Sequence, residues 1–321
     1  MKYLLALLMP MMAVCACLAQ KQNVYFLKSN GKQVSIRDSA DFIHIVREPD
    51  SASTLYNVLD YYLSGKLKMM GKSSTIFPSM LEGISVTYFE NGNRKNISEY
   101  KKGNLVHKQY LYYPNGRRYT VFDYADLPKT STAFKFPPMI VECKDSTGVS
   151  LVTDGVGYYR GYNENFSRVV EEGQVKNNKR EGLWKGYEEA INVSFTETYS
   201  NGELIKGLST SDTNDTVSYT KSRMVIPQFK GGIDAFYRYL GMSIRYPNNA
   251  RINGIQGRVV LGFIIQKDGK LTDIQVLSSA GQALDEEAVR VTKASPKWIA
   301  GTVCGRNVRV SHSIPIIFTL Q

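Results

Sequence analysis

The sequence predicts an α+β chain: a β-rich region of repeated hairpins, then a small antiparallel three-stranded sheet covered by one helix. Three observations carry this. Tyrosine reaches 21 residues against 13 Phe and 2 Trp, and aromatic residues favour strands. Between residues 61 and 208 an aromatic, a short polar step and a glycine recur together. Near the C-terminus, GRVVLGFIIQKDGKLTDIQVLSSAG (257–281) joins two alternating apolar runs through Asp-Gly. The totals fit a globular chain, with 321 residues, 43% hydrophobic and 21% charged. That length gives room for two domains at about 100–200 residues each.

The chain opens MKYLLALLMPMMAVCACLAQ. One Lys precedes an apolar run, and small residues stand before Gln20, the grammar of a secretory signal peptide over 1–19. Two other fates stay open. The run is short of the roughly 20 apolar residues of a spanning helix, yet it could be retained as an anchor. Lipidation at Cys15 or Cys17 is the third, although neither preceding triplet makes a good lipobox.

Residues 20–60 form an N-terminal β segment: VYFLK, a turn at Asn30-Gly31, then DSADFIHIV with mixed periodicity. Residues 61–208 carry the repeats, as YLSGKL (62–67), YFENGNR (88–94), YKKGNL (100–105), YYPNGRR (112–118) and YSNGEL (199–204). Asn-Gly supplies the positive φ that a tight hairpin turn needs. Repetition argues for hairpins stacked on one another. The stretch 209–224 is polar, has little to bury, and reads as a linker.

In the C-terminal domain, 225–321, a two-residue turn at Asp268-Gly269 sets Ile265 against Thr272, Phe263 against Ile274 and Leu261 against Val276. Alternation puts all of them on one apolar face. Its cover is the helix at 283–296, where Leu284, Ala288 and Val291 make one stripe. Asp285, Glu286 and Glu287 suit its N-terminus, Pro296 ends it, and Trp298 is placed as a lid. A third strand follows at 307–320, with Val308, Val310, Ile314, Ile316, Phe318 and Leu320 on one face. Pro315 inside it removes a backbone donor and points to an edge. Exposed edges invite another chain.

The repeats, together with EGLWKGYEEA (181–190), resemble MORN-type repeats of bacterial envelope proteins. The C-terminal motifs PQFKGGIDAFYRYL (227–240), RYPNNA (245–250), LDEEAVRV (284–291), WIAG (298–301) and SIPIIFTL (313–320), with the hairpin between them, resemble the TonB C-terminal domain. Ala300 stands where that family usually has Pro. The resemblance implies strand addition: the domain would grip the N-terminal box peptide of an outer-membrane TonB-dependent transporter. The receiving edge would be Asn307, Val308, Arg309, Val310, Ser311, His312, Ser313 and Ile314, with Arg245 and Tyr246 as further contacts. Arg309, Ser311 and Ser313 lie on the face away from the core. His312 falls on the core face and is expected as a hydrogen-bonded, partly buried histidine. The chain lacks the Pro-rich spacer of motor-coupled transducers, so a docking module of the periplasm is expected, with an anchored transducer or a structural envelope protein as alternatives.

The formal charge is +11, but the basic residues are spread out and an exported chain rarely meets nucleic acid. Cell wall or anionic lipid suits such a surface better, and a homodimer through edge strands stays open. Cys143 and Cys304 are either two buried thiols or one disulfide. No nucleotide loop, metal-ligand spacing or cofactor motif occurs. Glu171-Glu172 and Glu188-Glu189 would point to opposite faces of a strand. His44, His107 and His312 are scattered, so no catalytic group is expected.

Overall fold

The computed structural model describes residues 21–124 and 138–320. The leader at 1–19, with Cys15 and Cys17, lies outside the described residues. The chain divides into two compact units, residues 1–117 and 118–321.

The first unit comprises β1 (Gln22–Leu27), β2 (Gln33–Val34), β3 (Phe42–Arg47), β4 (Tyr56–Tyr62), β5 (Leu67–Ser73), β6 (Leu81–Tyr88), β7 (Arg94–Lys101) and β8 (Asn104–Tyr112). From β3 to β8 each strand pairs antiparallel with the next. The recurring aromatic-to-Gly pattern marks hairpin turns, and three of them share one geometry. Tyr62, Phe89 and Tyr113 each donate their N–H to the carbonyl four residues on, at 2.8–2.9 Å. Each also accepts the N–H of Gly65, Gly92 or Gly116, which have φ of 84°, 91° and 82°. These three are three-residue loops closed by a left-handed glycine, so Asn91-Gly92 and Asn115-Gly116 do not make the two-residue turns expected of them, whereas the Lys102-Gly103 and Asn201-Gly202 turns do have two residues, with Lys101 facing Asn104 and Ser200 facing Glu203. Successive turns are stitched together: the Asn91 and Asn93 amides both donate to the Pro114 carbonyl at 2.8 Å.

The second unit holds a further meander of β9 (Arg118–Asp123), β10 (Met139–Lys144), β11 (Ser150–Thr153), β12 (Val156–Tyr162), β13 (Val169–Lys176), β14 (Lys179–Glu188), β15 (Val193–Ser200), β16 (Glu203–Ser211) and β17 (Thr216–Tyr219). Here strand glycines face aromatic rings across the ladder: Gly173 opposite Trp184, Gly186 opposite Phe195, Gly207 opposite Tyr219. Each ring lies over a position with no side chain, and Trp184 is fully buried. Half of the expected linker is strand. Thr216–Tyr219 pairs with β16 and buries Tyr219. Two apolar residues in four are enough when a neighbouring strand already offers a ladder, and that is why polarity misled.

The C-terminal domain holds β18 (Met224–Val225), α1 (Gly232–Ser243), α2 (Asn248–Ile252), β19 (Gly257–Ile265), β20 (Leu271–Ser278), α3 (Gln282–Lys293), β21 (Gly301–Val303), β22 (Arg306–Val308) and β23 (Val310–Phe318). Its main sheet has the order β20-β19-β23, all antiparallel. The predicted stripe is right: Leu284, Ala288 and Val291 of α3 are fully buried against it. Trp298 closes the core with Phe229, Phe236 and Phe263, its ring centroids 5.1–5.7 Å from theirs.

Two local expectations are corrected. The β19–β20 loop spans three residues: Gln266 N–H donates to Lys270 O at 2.8 Å, and Gly269 has φ 82°. Ile265 therefore faces Leu271, and Ile264 faces Thr272. A bulge with Asp273 at φ 52° absorbs the slip, so Leu261 does face Val276 as expected. The third strand is also broken at Arg309. Its first part, β22, joins β21 and β18 in a separate small sheet.

Candidate functional site

Strand β23 is laddered to β19 along its whole length, from Ile265 opposite Val310 to Gly257 opposite Phe318. Among the described residues no strand pairs with its other side. Side chains alternate as the pleat requires. Ile314, Ile316 and Phe318 are buried, while Ser311, Ser313 and Ile317 face solvent, Ile317 at 68% exposure. Val260 faces Pro315, and its missing N–H suits an edge. A peptide laid along this border would meet unpaired backbone groups, two hydroxyls and one exposed isoleucine.

The expected receiving segment is divided by the structure. Val310, Ser311, His312, Ser313 and Ile314 lie on the open edge. Asn307 and Val308 do not: they pair with Thr302 and Gly301 in the β21–β22 hairpin. The Asn307 amide also donates to Lys267 O at 2.8 Å. A short alternating run looks like one strand in sequence, and only the neighbouring hairpin shows where it changes sheets. Arg309 is exposed at the break and stands 3.8 Å from Asp273. His312 is half buried, its ring 5.7 Å from those of Phe263 and Trp298. That burial lowers its pKa below the usual 6.5.

Arg245 and Tyr246 are not brought to Asn307–Ile314. Arg245 donates its backbone N–H to Glu287 Oε1 at 2.6 Å. Glu287 in turn is held by the Arg290 guanidinium at 2.7 Å, and that hydrogen bond lowers its pKa. Tyr246 packs edge-on against Phe318, centroids 5.9 Å apart, and donates its hydroxyl to Ile255 O at 2.6 Å. Both anchor the approach to β19.

Sequence reasoning missed what surrounds the start of the edge. A cleft of about 550 Å³ is lined by Met224, Val225, Ile226, Lys267, Val308 and Val310, among others. The signal was present as the apolar run MVIP (224–227) after a polar stretch.

It also missed how firmly this domain is tied to the preceding strands. Ser209 Oγ donates to Cys304 O at 2.8 Å, and Arg306 reaches Asp215 at 2.6 Å. Arg223 binds both carboxylate oxygens of buried Glu197 and also Glu171, the latter at 2.9 Å. Tyr199 and Tyr219 donate to Glu197 at 2.9 and 2.8 Å. Burial pushes the Glu171 carboxyl up, but Arg180 and Arg223 outweigh it and hold it below its usual range. Glu172 points the other way, to Arg160 and Lys185 at 3.0 and 3.1 Å, so the adjacent carboxylates do diverge. Cys143 and Cys304 are free, buried thiols, each pushed up to about 11 chiefly by burial.

Residues 242–320 match the family model described as Gram-negative bacterial TonB protein C-terminal. The strands before residue 242 lie outside the matched range. No curated protein matches the chain. No helix among the described residues is long and apolar enough to cross a membrane.

Proposed function

We propose that this is an exported cell-envelope protein of TonB-dependent transport whose C-terminal sheet accepts an extended segment of an outer-membrane transporter as an added strand. The observation that carries this reading is the one-sided ladder of β23, open over Val310–Phe318. The family match to 242–320 supports it. Backbone hydrogen bonds supply affinity, and Ser311, Ser313 and Ile317 supply choice. The leader at 1–19 delivers the chain to the periplasm. The meander before the domain is a set of MORN-like repeats that holds the edge through Arg223 and Arg306. At this edge the protein binds and does not catalyse.

Amide chemical shifts in the presence of transporter N-terminal peptides test the reading. Shifts should concentrate on Val310–Phe318, and Ser313→Pro should abolish them while the fold persists. Shifts concentrated on β20, the opposite border, would sink it.

A further inference from the structure

The first unit places a serine, a histidine and an aspartate in line. His44 of β3 and Asp60 of β4 are direct cross-strand partners, 5% and 8% exposed. His44 Nδ1 lies 2.6 Å from Asp60 Oδ1, and Nε2 lies 2.9 Å from Ser79 Oγ. Ser79 belongs to the loop between β5 and β6. With the carboxylate accepting at Nδ1, the neutral ring carries its proton there and turns the Nε2 lone pair to the serine hydroxyl. Nucleophile, base and orienting group are thus each within hydrogen-bond reach of the next.

The loop that presents Ser79 is braced. Thr75 Oγ1 donates to Pro78 O at 2.6 Å, and the Met80 N–H donates to Thr75 Oγ1 at 3.0 Å. Ser79 Oγ also lies 3.2 Å from Ile76 O; rotation of the hydroxyl toward His44 gives the reactive arrangement. The backbone N–H groups of Phe77 and Ser79 donate to no protein group among the described residues, leaving donors beside the serine for a developing oxyanion. Phe77 is exposed and stacks on Tyr25, centroids 4.6 Å apart. Tyr25 stands 5.9 Å from the His44 ring. This aromatic wall suits an apolar or aryl acyl group.

We propose that Ser79, His44 and Asp60 form an acyl-transfer centre for small carboxylic esters. Ser79 Oγ bonds to the ester carbonyl carbon as its proton passes to His44 Nε2. The tetrahedral adduct collapses, the carbon–oxygen bond to the alcohol breaks, and His44 returns the proton to the departing oxygen. Water, deprotonated by His44, then attacks the acyl-serine and releases the carboxylic acid, restoring the serine hydroxyl. No electron donor or acceptor is needed.

The full chain is treated with a fluorophosphonate probe, and its hydrolysis of p-nitrophenyl acetate is followed. The expected results are a phosphonyl adduct on Ser79 and steady release of p-nitrophenolate by the wild type. Ser79→Ala leaves the His44–Asp60 pair intact and should lower the rate by about 10,000-fold, the order of magnitude that loss of a triad member costs. Ser74→Ala, in the same loop, should keep the wild-type rate. Circular dichroism verifies folding of each variant. Absence of an adduct on Ser79 in the folded protein, or an unchanged rate in Ser79→Ala, overturns the proposal and leaves the three residues as a structural hydrogen-bond chain.

Discussion

Gly173 lies directly opposite Trp184 in the β13–β14 ladder, and a Cβ at that position would stand 2.4 Å from the indole carbons. The ring is fully buried and donates its Nε1–H to Gln174 O at 2.9 Å. It cannot retreat without losing both. The glycine is therefore required by close approach, because its neighbour fills the space of its side chain.

Gly173→Ala should destabilise the protein by about 1–3 kcal/mol, the usual range for overpacking a filled core. Gly241 supplies the opposite case. It sits inside α1, and a Cβ there would meet nothing within 4 Å, so Gly241→Ala should stabilise by up to ~1 kcal/mol through helix propensity. Urea unfolding of both variants checks the pair; equal effects would contradict the packing account.

Much of the C-terminal domain was legible because its periodicities are clean. Leu284, Ala288 and Val291 mark one helical face, and Ile314, Ile316 and Phe318 mark one strand face. The open edge was legible from Pro315. Turn type was not, since Asn-Gly and Asp-Gly permit both two- and three-residue loops, and the difference moves the register by one. Nor was the embrace of Arg223 by Glu197 and Glu171, whose members come from three separate strands and loops. The same holds for His44, Asp60 and Ser79: scattered in sequence, they meet only once β3 and β4 are in register and the loop after β5 folds back.

Loss of Arg223 should be costly. Glu197 is 1% exposed, and removing its guanidinium partner leaves a buried carboxylate without its counter-charge. Arg223→Met should cost about 3–5 kcal/mol, whereas Arg223→Met with Glu197→Gln should cost clearly less, because the stranded charge is gone. Denaturant unfolding of the two variants separates them; a double variant as unstable as the single one would assign the cost to packing instead.

Cys143 and Cys304 should be silent toward thiol reagents in the native protein. Each is fully buried, and burial holds each thiol at about 11, so almost none is thiolate at pH 8. Iodoacetamide should label neither until denaturant is added, and should then label both at equal rates. Rapid native labelling of Cys304 would show that the β21–β22 hairpin leaves the strands it touches.

The half-buried His312 makes the stability of the sheet edge at β23 depend on pH. Burial beside Phe263 and Trp298 disfavours the imidazolium, so the folded pKa lies below the unfolded value of 6.5. Between those two values the unfolded chain binds more protons than the native one, and stability rises with pH. The contribution is complete above pH 6.5 and is lost as acid carries the solution down toward the folded pKa. Glu287, whose pKa is lowered by Arg290, acts below its unfolded value of 4.5, outside this window. Unfolding free energies of wild type and His312→Gln, measured from pH 7.5 to 5, should therefore converge on acidification, by no more than about 1.4 kcal/mol per pH unit. Parallel curves would mean that the ring is hydrated in the native state.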